Sequence, residues 1–176
     1  MNSAARAVFL DRDGVINRRP PEGLYITSPD EFVLLPGVAG AIIRLNESGF
    51  LVIVATNQRC IARGIVAADV VNVIHERMLQ EVVASGGRID RVYLCPHDYA
   101  DACECRKPKP GMLRRAALEY ALDLPDCWMV GDSASDIEAG RGAGCRTVFV
   151  GGAVGVAADF VAADLCEAVE QILKQS

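Results

Sequence analysis

Two carboxylates stand two residues apart in Phe9-Leu10-Asp11-Arg12-Asp13-Gly14-Val15, directly after a short apolar run. In such a pair one carboxylate can attack phosphorus while its neighbour protonates the leaving oxygen and later deprotonates water. Gly14 permits the tight backbone that a cation-binding loop needs. Alone, an Asp-x-Asp-Gly string fits an Asx turn equally well. A second acidic pair lies in Val130-Gly131-Asp132-Ser133-Ala134-Ser135-Asp136. Asp132 is a candidate oxygen ligand for Mg²⁺, with Asp136 one helical turn on to orient what surrounds the ion. Helix capping by Ser133 or Asp132 accounts for the same residues, and both readings can hold together. Thr56 and its neighbouring amides are suited to phosphate oxygens. Lys107 supplies a point charge for a phosphoryl group, and Arg106 a planar fork for a second anionic or polyhydroxyl group. A solvated Arg-Lys pair ahead of Pro108 is the plainer alternative.

Cys95-x-His97 and Cys103-x-Cys105 bring three thiols and an imidazole into eleven residues. That is the ligand set of a closed tetrahedral zinc site, structural because all four positions are filled. The other cysteines (Cys60, Cys127, Cys145 and Cys166) sit among apolar neighbours and read as buried small hydrophobes. With seven cysteines and no export signal, a disulfide framework is not expected. The second histidine, His75, lies beside Glu76 on a helix and reads as a surface residue.

The elements that must position these groups alternate in type. Strands are expected over Arg6–Leu10, Leu51–Ala55, Val92–Leu94, Cys127–Val130 and Thr147–Val150. Helices are expected over Val38–Glu47, Ala68–Ala84, Pro110–Leu122 and Ser133–Arg141, with a last one after Asp164 as its N-cap. Strands alternating with helices predict a doubly wound, Rossmann-like α/β domain with a parallel sheet covered on both faces. In such folds ligands gather at the carboxyl ends of the strands. The candidate residues all follow strands, and together they form an inventory for Mg²⁺ and a phosphoryl group.

Composition sets the outer limits. The chain has 176 residues, 51% of them hydrophobic and 23% charged, which fits one compact domain over residues 1–176 and excludes disorder as the main state. With 18 basic against 23 acidic residues and a net charge of −5, it lacks the footprint of a nucleic-acid binder. The longest apolar stretches span about one strand, too short for a membrane helix, and the apolar run before Asp11 is only the four residues Ala7–Leu10, too short for a secretory leader. A cytoplasmic, soluble monomer with no membrane or nucleic-acid partner is expected.

Four segments together carry a resemblance. Asp11-Arg12-Asp13-Gly14-Val15, Thr56-Asn57-Gln58, Arg106-Lys107-Pro108 and Gly131-Asp132 through Asp136 are similar to the four motifs of the haloacid dehalogenase (HAD) superfamily of phosphatases. More narrowly, Thr56-Asn57-Gln58 with Ile61-Ala62-Arg63-Gly64, Cys95-Pro96-His97, and Cys105-Arg106-Lys107-Pro108 with Pro110-Gly111 resemble the D-glycero-D-manno-heptose 1,7-bisphosphate 7-phosphatases, whose subfamily includes the histidinol-phosphatases. The resemblance covers roughly residues 6 to 150. It implies Asp11 as nucleophile and Asp13 as general acid and base. It also implies Mg²⁺ held by Asp11, the Asp13 carbonyl and Asp132, and zinc at the Cys/His positions. Thr56 and Lys107 would stabilise the transferring phosphoryl, while Asn57, Gln58, Arg59, Arg106 and Tyr25 would face the substrate. Cys60 departs from the glycine usual at its position, and the segment from Asn17 to Tyr25 is longer than in familiar members.

The expectation is therefore an uncapped HAD fold with a zinc-binding loop. It would act as a Mg²⁺-dependent phosphatase working through an aspartyl-phosphate on a small phosphorylated sugar, most simply at the 7-phosphate of the heptose bisphosphate. Histidinol phosphate or another small sugar phosphate is the rival substrate. A receiver domain has no use for Asp13 or for a zinc loop. A zinc-stapled binding module without activity would lack Asp11 or Asp13, and both are present.

Overall fold

A computed structural model describes residues 5–152 and 155–175. Its centre is β1 (Ala7–Leu10), four residues all fully buried. β2 (Leu51–Asn57) and then β3 (Arg91–Cys95) pair on one side of it, and β4 (Trp128–Gly131), β5 (Arg146–Val150) and β6 (Phe160–Ala162) on the other. The order is β3-β2-β1-β4-β5-β6, and every pairing is parallel. Strand order therefore reverses between β1 and β4, where a crevice opens beyond the carboxyl ends of a doubly wound sheet.

The period-2 alternation of the strands feeds two cores. Val8, Leu10, Val52, Val54 and Val130 face α1 (Val38–Glu47), α2 (Ala68–Ala84) and α5 (Leu165–Lys174). Phe9, Ile53, Ala55 and Met129 face the opposite way, onto α3 (Gly111–Tyr120) through Met112, Leu113 and Ala116. α4 (Ala134–Ala143) packs beside α3 and against β4 and β5. Each such Val, Leu, Ile or Phe stabilises the fold by about 1.5–3 kcal/mol through removal from water.

Most expected boundaries agree to within one or two residues, and α1 and α2 agree throughout. Asp164 caps α5 as expected, accepting a hydrogen bond from the Glu167 amide at 2.9 Å. β6 is an element the sequence reading lacked. No helix among the described residues is long and apolar enough to cross a membrane. Residues 11–37, between β1 and α1, contain one 3-10 turn (Pro29–Glu31) and no further helix or strand. No cap layer stands over the crevice there.

Candidate active site

Asp11 and Asp13 leave the end of β1, Asp132 leaves the end of β4, and the two strands are hydrogen-bonded neighbours. Sheet topology alone thus joins residues far apart in the chain. The approach is closest at Gly14, whose φ of +96° lies in the left-handed region. A Cβ there would lie 1.8 Å from Asp132 Oδ2. Only glycine satisfies both the conformation and the contact.

Lys107 is buried, and its Nζ lies 2.7 Å from Asp11 Oδ1, 2.6 Å from Asp136 Oδ1 and 2.7 Å from the Ala55 carbonyl. Burial alone would lower its pKa; the two carboxylates more than offset this and hold it raised, so the ammonium stays charged. Burial pushes Asp11 up to about 7 despite the pull of Lys107. Asp136 spends its other oxygen on the Ser133 amide (3.0 Å) and hydroxyl (2.6 Å) at the start of α4. It braces Lys107 and the helix N-terminus together.

Asp13 is held differently. Arg12 reaches it from Nη2 at 2.9 Å to each carboxylate oxygen, Asn17 donates at 2.9 Å and Gln58 at 3.1 Å. Burial would raise this carboxyl, but the Arg12 guanidinium, with these hydrogen bonds, holds it below its ordinary value. Gln58 also donates to Thr56 Oγ1 at 2.8 Å. Thr56 is fully buried beneath that amide rather than on the cavity wall. Asn57 bonds the main chain of Lys107, and Cys60 fills a buried pocket with its thiol 3.7 Å from Gln58 Oε1.

A cavity of about 540 Å³ opens over this floor, lined by Asp11, Asp13, Asn57, Gln58, Lys107 and Asp136 and walled by residues 19–26, Tyr25 among them. Arg59 and Arg106 are not in that lining. They flank the ring of Tyr99 at 4.8 and 4.4 Å, Arg59 pairing with Asp98 and Arg106 donating to the His97 carbonyl. Arg106 lines a smaller adjoining cavity of about 180 Å³, whose wall also includes Lys107. The two arginines and the cavity floor are thus neighbours, not one surface.

Two clusters have the donors for a metal. Asp132 Oδ1 is buried and makes no hydrogen bond; Arg19 stands 3.1 Å away as an ion pair only. Burial raises the Asp132 carboxyl to about 6, against the pull of Arg19. An orphaned carboxylate oxygen near Asp11 suits a hard cation such as Mg²⁺. Asp136 also lies within reach, but Lys107 and Ser133 already engage both its oxygens. The other cluster is Cys95, His97, Cys103 and Cys105. Its Sγ and Nδ1 atoms are separated by 3.6 Å (Cys95–His97), 3.6 Å (Cys95–Cys103), 3.2 Å (His97–Cys105) and 3.5 Å (Cys103–Cys105). A tetrahedron with metal–sulfur bonds of about 2.3 Å has edges of about 3.8 Å, so these atoms suit a zinc ion. The loop abuts α3 at Gly111, where a Cβ would meet the Glu104 carbonyl at 2.1 Å.

Two expectations of burial need correction. Cys166 is only partly buried, packed against the core from the side of α5. His75 is not at the surface: it is 5% exposed, and its Nε2 lies 3.1 Å from Arg12 Nη1. The helix face that buries Val71, Ile74, Met78 and Val82 carries it inward. Arg12 and Asn17 were likewise not singled out by the sequence, although both sit inside or beside the first motif.

A doubly wound sheet with this pair of carboxylate-bearing strand ends and a buried lysine between them defines a phosphatase of the HAD-like hydrolase class. The family model of HAD-hydrolase-like proteins matches residues 104–168. The D-glycero-beta-D-manno-heptose-1,7-bisphosphate 7-phosphatase of Pseudomonas aeruginosa is 45% identical over 143 residues, 81% of this chain and 79% of that protein. The corresponding D-glycero-D-manno-heptose enzyme of Thermosynechococcus vestitus is 40% identical over 94% of each chain. The crystal structure of the Bordetella bronchiseptica heptose 1,7-bisphosphate phosphatase, complexed with magnesium and phosphate, superposes with a TM-score of 0.87 at 37% identity, covering 97% of this chain and 99% of that one. The chain belongs to the D-glycero-D-manno-heptose 1,7-bisphosphate 7-phosphatase family.

Proposed function

We propose that the chain removes the 7-phosphate of D-glycero-D-manno-heptose 1,7-bisphosphate through an aspartyl-phosphate on Asp11, with Mg²⁺ as cofactor. The observation that carries the chemistry is Lys107 Nζ fixed between Asp11 and Asp136 at the cavity floor. It holds a positive charge beside the atom that would attack, where negative charge builds as the phosphoryl transfers. The substrate assignment is supported by the relatives' activities.

Asp11 Oδ attacks phosphorus, and the ester oxygen departs with a proton from Asp13. Asp13 then takes a proton from water as that water attacks the acyl-phosphate, returning Asp11 and releasing phosphate. Thr56, buried beneath Gln58 and accepting from its amide, would serve the phosphoryl group through Gln58 rather than by direct contact. Mg²⁺ would be held by Asp11, the Asp13 carbonyl and the orphaned oxygen of Asp132, and supplies charge to the phosphoryl oxygens. Gln58 and Asn57 act by holding Asp13 and Lys107, while Tyr25 forms part of the wall the sugar meets. Arg106 would meet the far end of the substrate from the adjoining cavity, with Arg59 beside it on the ring of Tyr99. Zinc at Cys95, His97, Cys103 and Cys105 would fix the segment that leads into Arg106 and Lys107. Seven thiols and no disulfide suit a reducing compartment, the cytoplasm. We read residues 1–176 as one catalytic domain working as a monomer.

The test is phosphate release from heptose 1,7-bisphosphate, hexose phosphates and histidinol phosphate, ranked by kcat/KM with Mg²⁺. The heptose bisphosphate should lead, losing its 7-phosphate. Arg106→Ala should lower kcat/KM for that substrate far more than for a small chromogenic ester. Preference for histidinol phosphate would overturn the substrate assignment, and equal losses for Arg106→Ala would overturn the role of the arginine.

A further inference from the structure

Arg12 offers five N–H donors and no acceptor. Nη2 and Nε face Asp13, and Nη1 points away, to His75 Nε2 at 3.1 Å. The guanidinium cannot accept, so the imidazole must present its lone pair at Nε2 and carry its proton on Nδ1. Both side chains are buried, at 1% and 5% exposure, so water does not stand in for either partner. α2 thereby reaches the reactive loop through a single hydrogen bond. Asn17 and Gln58 also touch Asp13, but neither touches the guanidinium. Among the described contacts, His75 alone anchors its far end.

From this arrangement we infer that His75 is a positioning residue for proton transfer. By accepting from Arg12 it sets the plane of the guanidinium, and that plane orients the Asp13 carboxyl. The inference rests on the acid–base role proposed for Asp13. Without the acceptor, Nη1 is a buried donor with no partner, and the guanidinium turns to find one. Asp13 is gripped on both oxygens and turns with it. Misplacing a proton donor by a fraction of an ångström is costly only where the leaving group needs the proton.

That selectivity provides the test. kcat/KM reports steps up to the first phosphoryl transfer, where an alkoxide leaving group needs a proton and a p-nitrophenolate does not. His75→Leu should lower kcat/KM about ten- to a hundredfold on an alkyl phosphate, with at least a fivefold smaller loss on p-nitrophenyl phosphate. His75→Gln can accept through Oε1 and should recover most of the alkyl rate. Should the leucine variant fail to fold, His75→Asn, whose shorter arm stops short of Arg12, takes its place. In the folded wild-type chain, ring ¹⁵N spectra at neutral pH should show the proton on Nδ1 and a bare Nε2. Equal losses on both esters, no loss at all, or an Nε2–H tautomer would overturn the inference. A wild-type chain that hydrolyses neither ester would instead sink the phosphatase reading, and the ring spectra would still report the Arg12–His75 bond.

Discussion

The carboxamide of Asn57 grips the main chain of Lys107, accepting from its N–H and donating to its carbonyl at 3.1 Å each. The last residue of β2 thus fixes a lysine 50 residues further along before that side chain enters the floor of the site. Asn57→Ala leaves two peptide groups without partners at a buried position, a loss of about 1–3 kcal/mol. Denaturant melts should show that loss, and kcat should fall on every phosphate ester as Lys107 loosens. Asn57→Asp can accept but not donate, and should lie between the two. Wild-type melting and turnover in Asn57→Ala would contradict the clamp.

Lys107→Ala is expected to do more than slow the reaction. It strands Asp11 and Asp136, two carboxylates buried against the same ammonium. Removing one partner of a buried ion pair costs about 3–5 kcal/mol. Part of that loss should return as the pH falls, because a stranded carboxylate can take up a proton instead. Melts of Lys107→Ala at pH 5 and pH 8 check the sign: the gap to wild type should be smaller at pH 5.

His75 gives the fold its own pH dependence. Burial, with help from the Arg12 charge, lowers its pKa from 6.5 to about 4. The unfolded chain therefore binds the proton first, and stability present above pH 6.5 is lost as the pH falls toward 4. The full difference is about 3 kcal/mol. His75→Gln should lose less stability than wild type over that window. Parallel slopes for the two chains between pH 7 and pH 4.5 would show that His75 does not titrate as the structure implies.

Removing the zinc ion should act at a distance. None of Cys95, His97, Cys103 and Cys105 lines the main cavity, yet the loop they close runs directly into Arg106 and Lys107. The purified chain should carry one zinc per molecule by elemental analysis. A strong thiol-competent chelator should lower the melting temperature and the activity together, and added Mg²⁺ should not restore either. Cys103→Ser should reproduce the effect without a chelator. A chain free of zinc yet fully active would remove the structural role.

The frame of this fold was readable because its signals are local and redundant. Leu51–Ala55 is a continuous apolar run with the β-branched Val52, Ile53 and Val54 at its centre, and Pro36-Gly37 and Gly49 bracket α1. The four strand-end motifs could be assembled because a parallel sheet brings carboxyl ends to one edge. β6 escaped notice for the opposite reason. It is three residues long, lies at the sheet edge with Val161 exposed, and offers too few residues for a period to emerge. His75 reads as a surface residue because its partner lies 63 residues upstream. A polar residue on a helix reads as solvent-facing unless something buried awaits it. The resemblance turns Arg59 and Arg106 toward the substrate, but their stacking on Tyr99 depends on how a loop folds back, which spacing does not encode.

The site finally owes its dimensions to an atom that is not there. Gly14 and Asp132 approach so closely that the space between them admits a hydrogen and nothing larger. A methyl group at that point would wedge the first loop away from the fourth strand and part the carboxylates of Asp11 and Asp132. Anyone redesigning this scaffold for another phosphate ester can treat residues 20–25 of the cavity wall as exchangeable upholstery. Position 14 is instead a fixed gauge, the shim whose thickness of zero keeps the two halves of the sheet in working register.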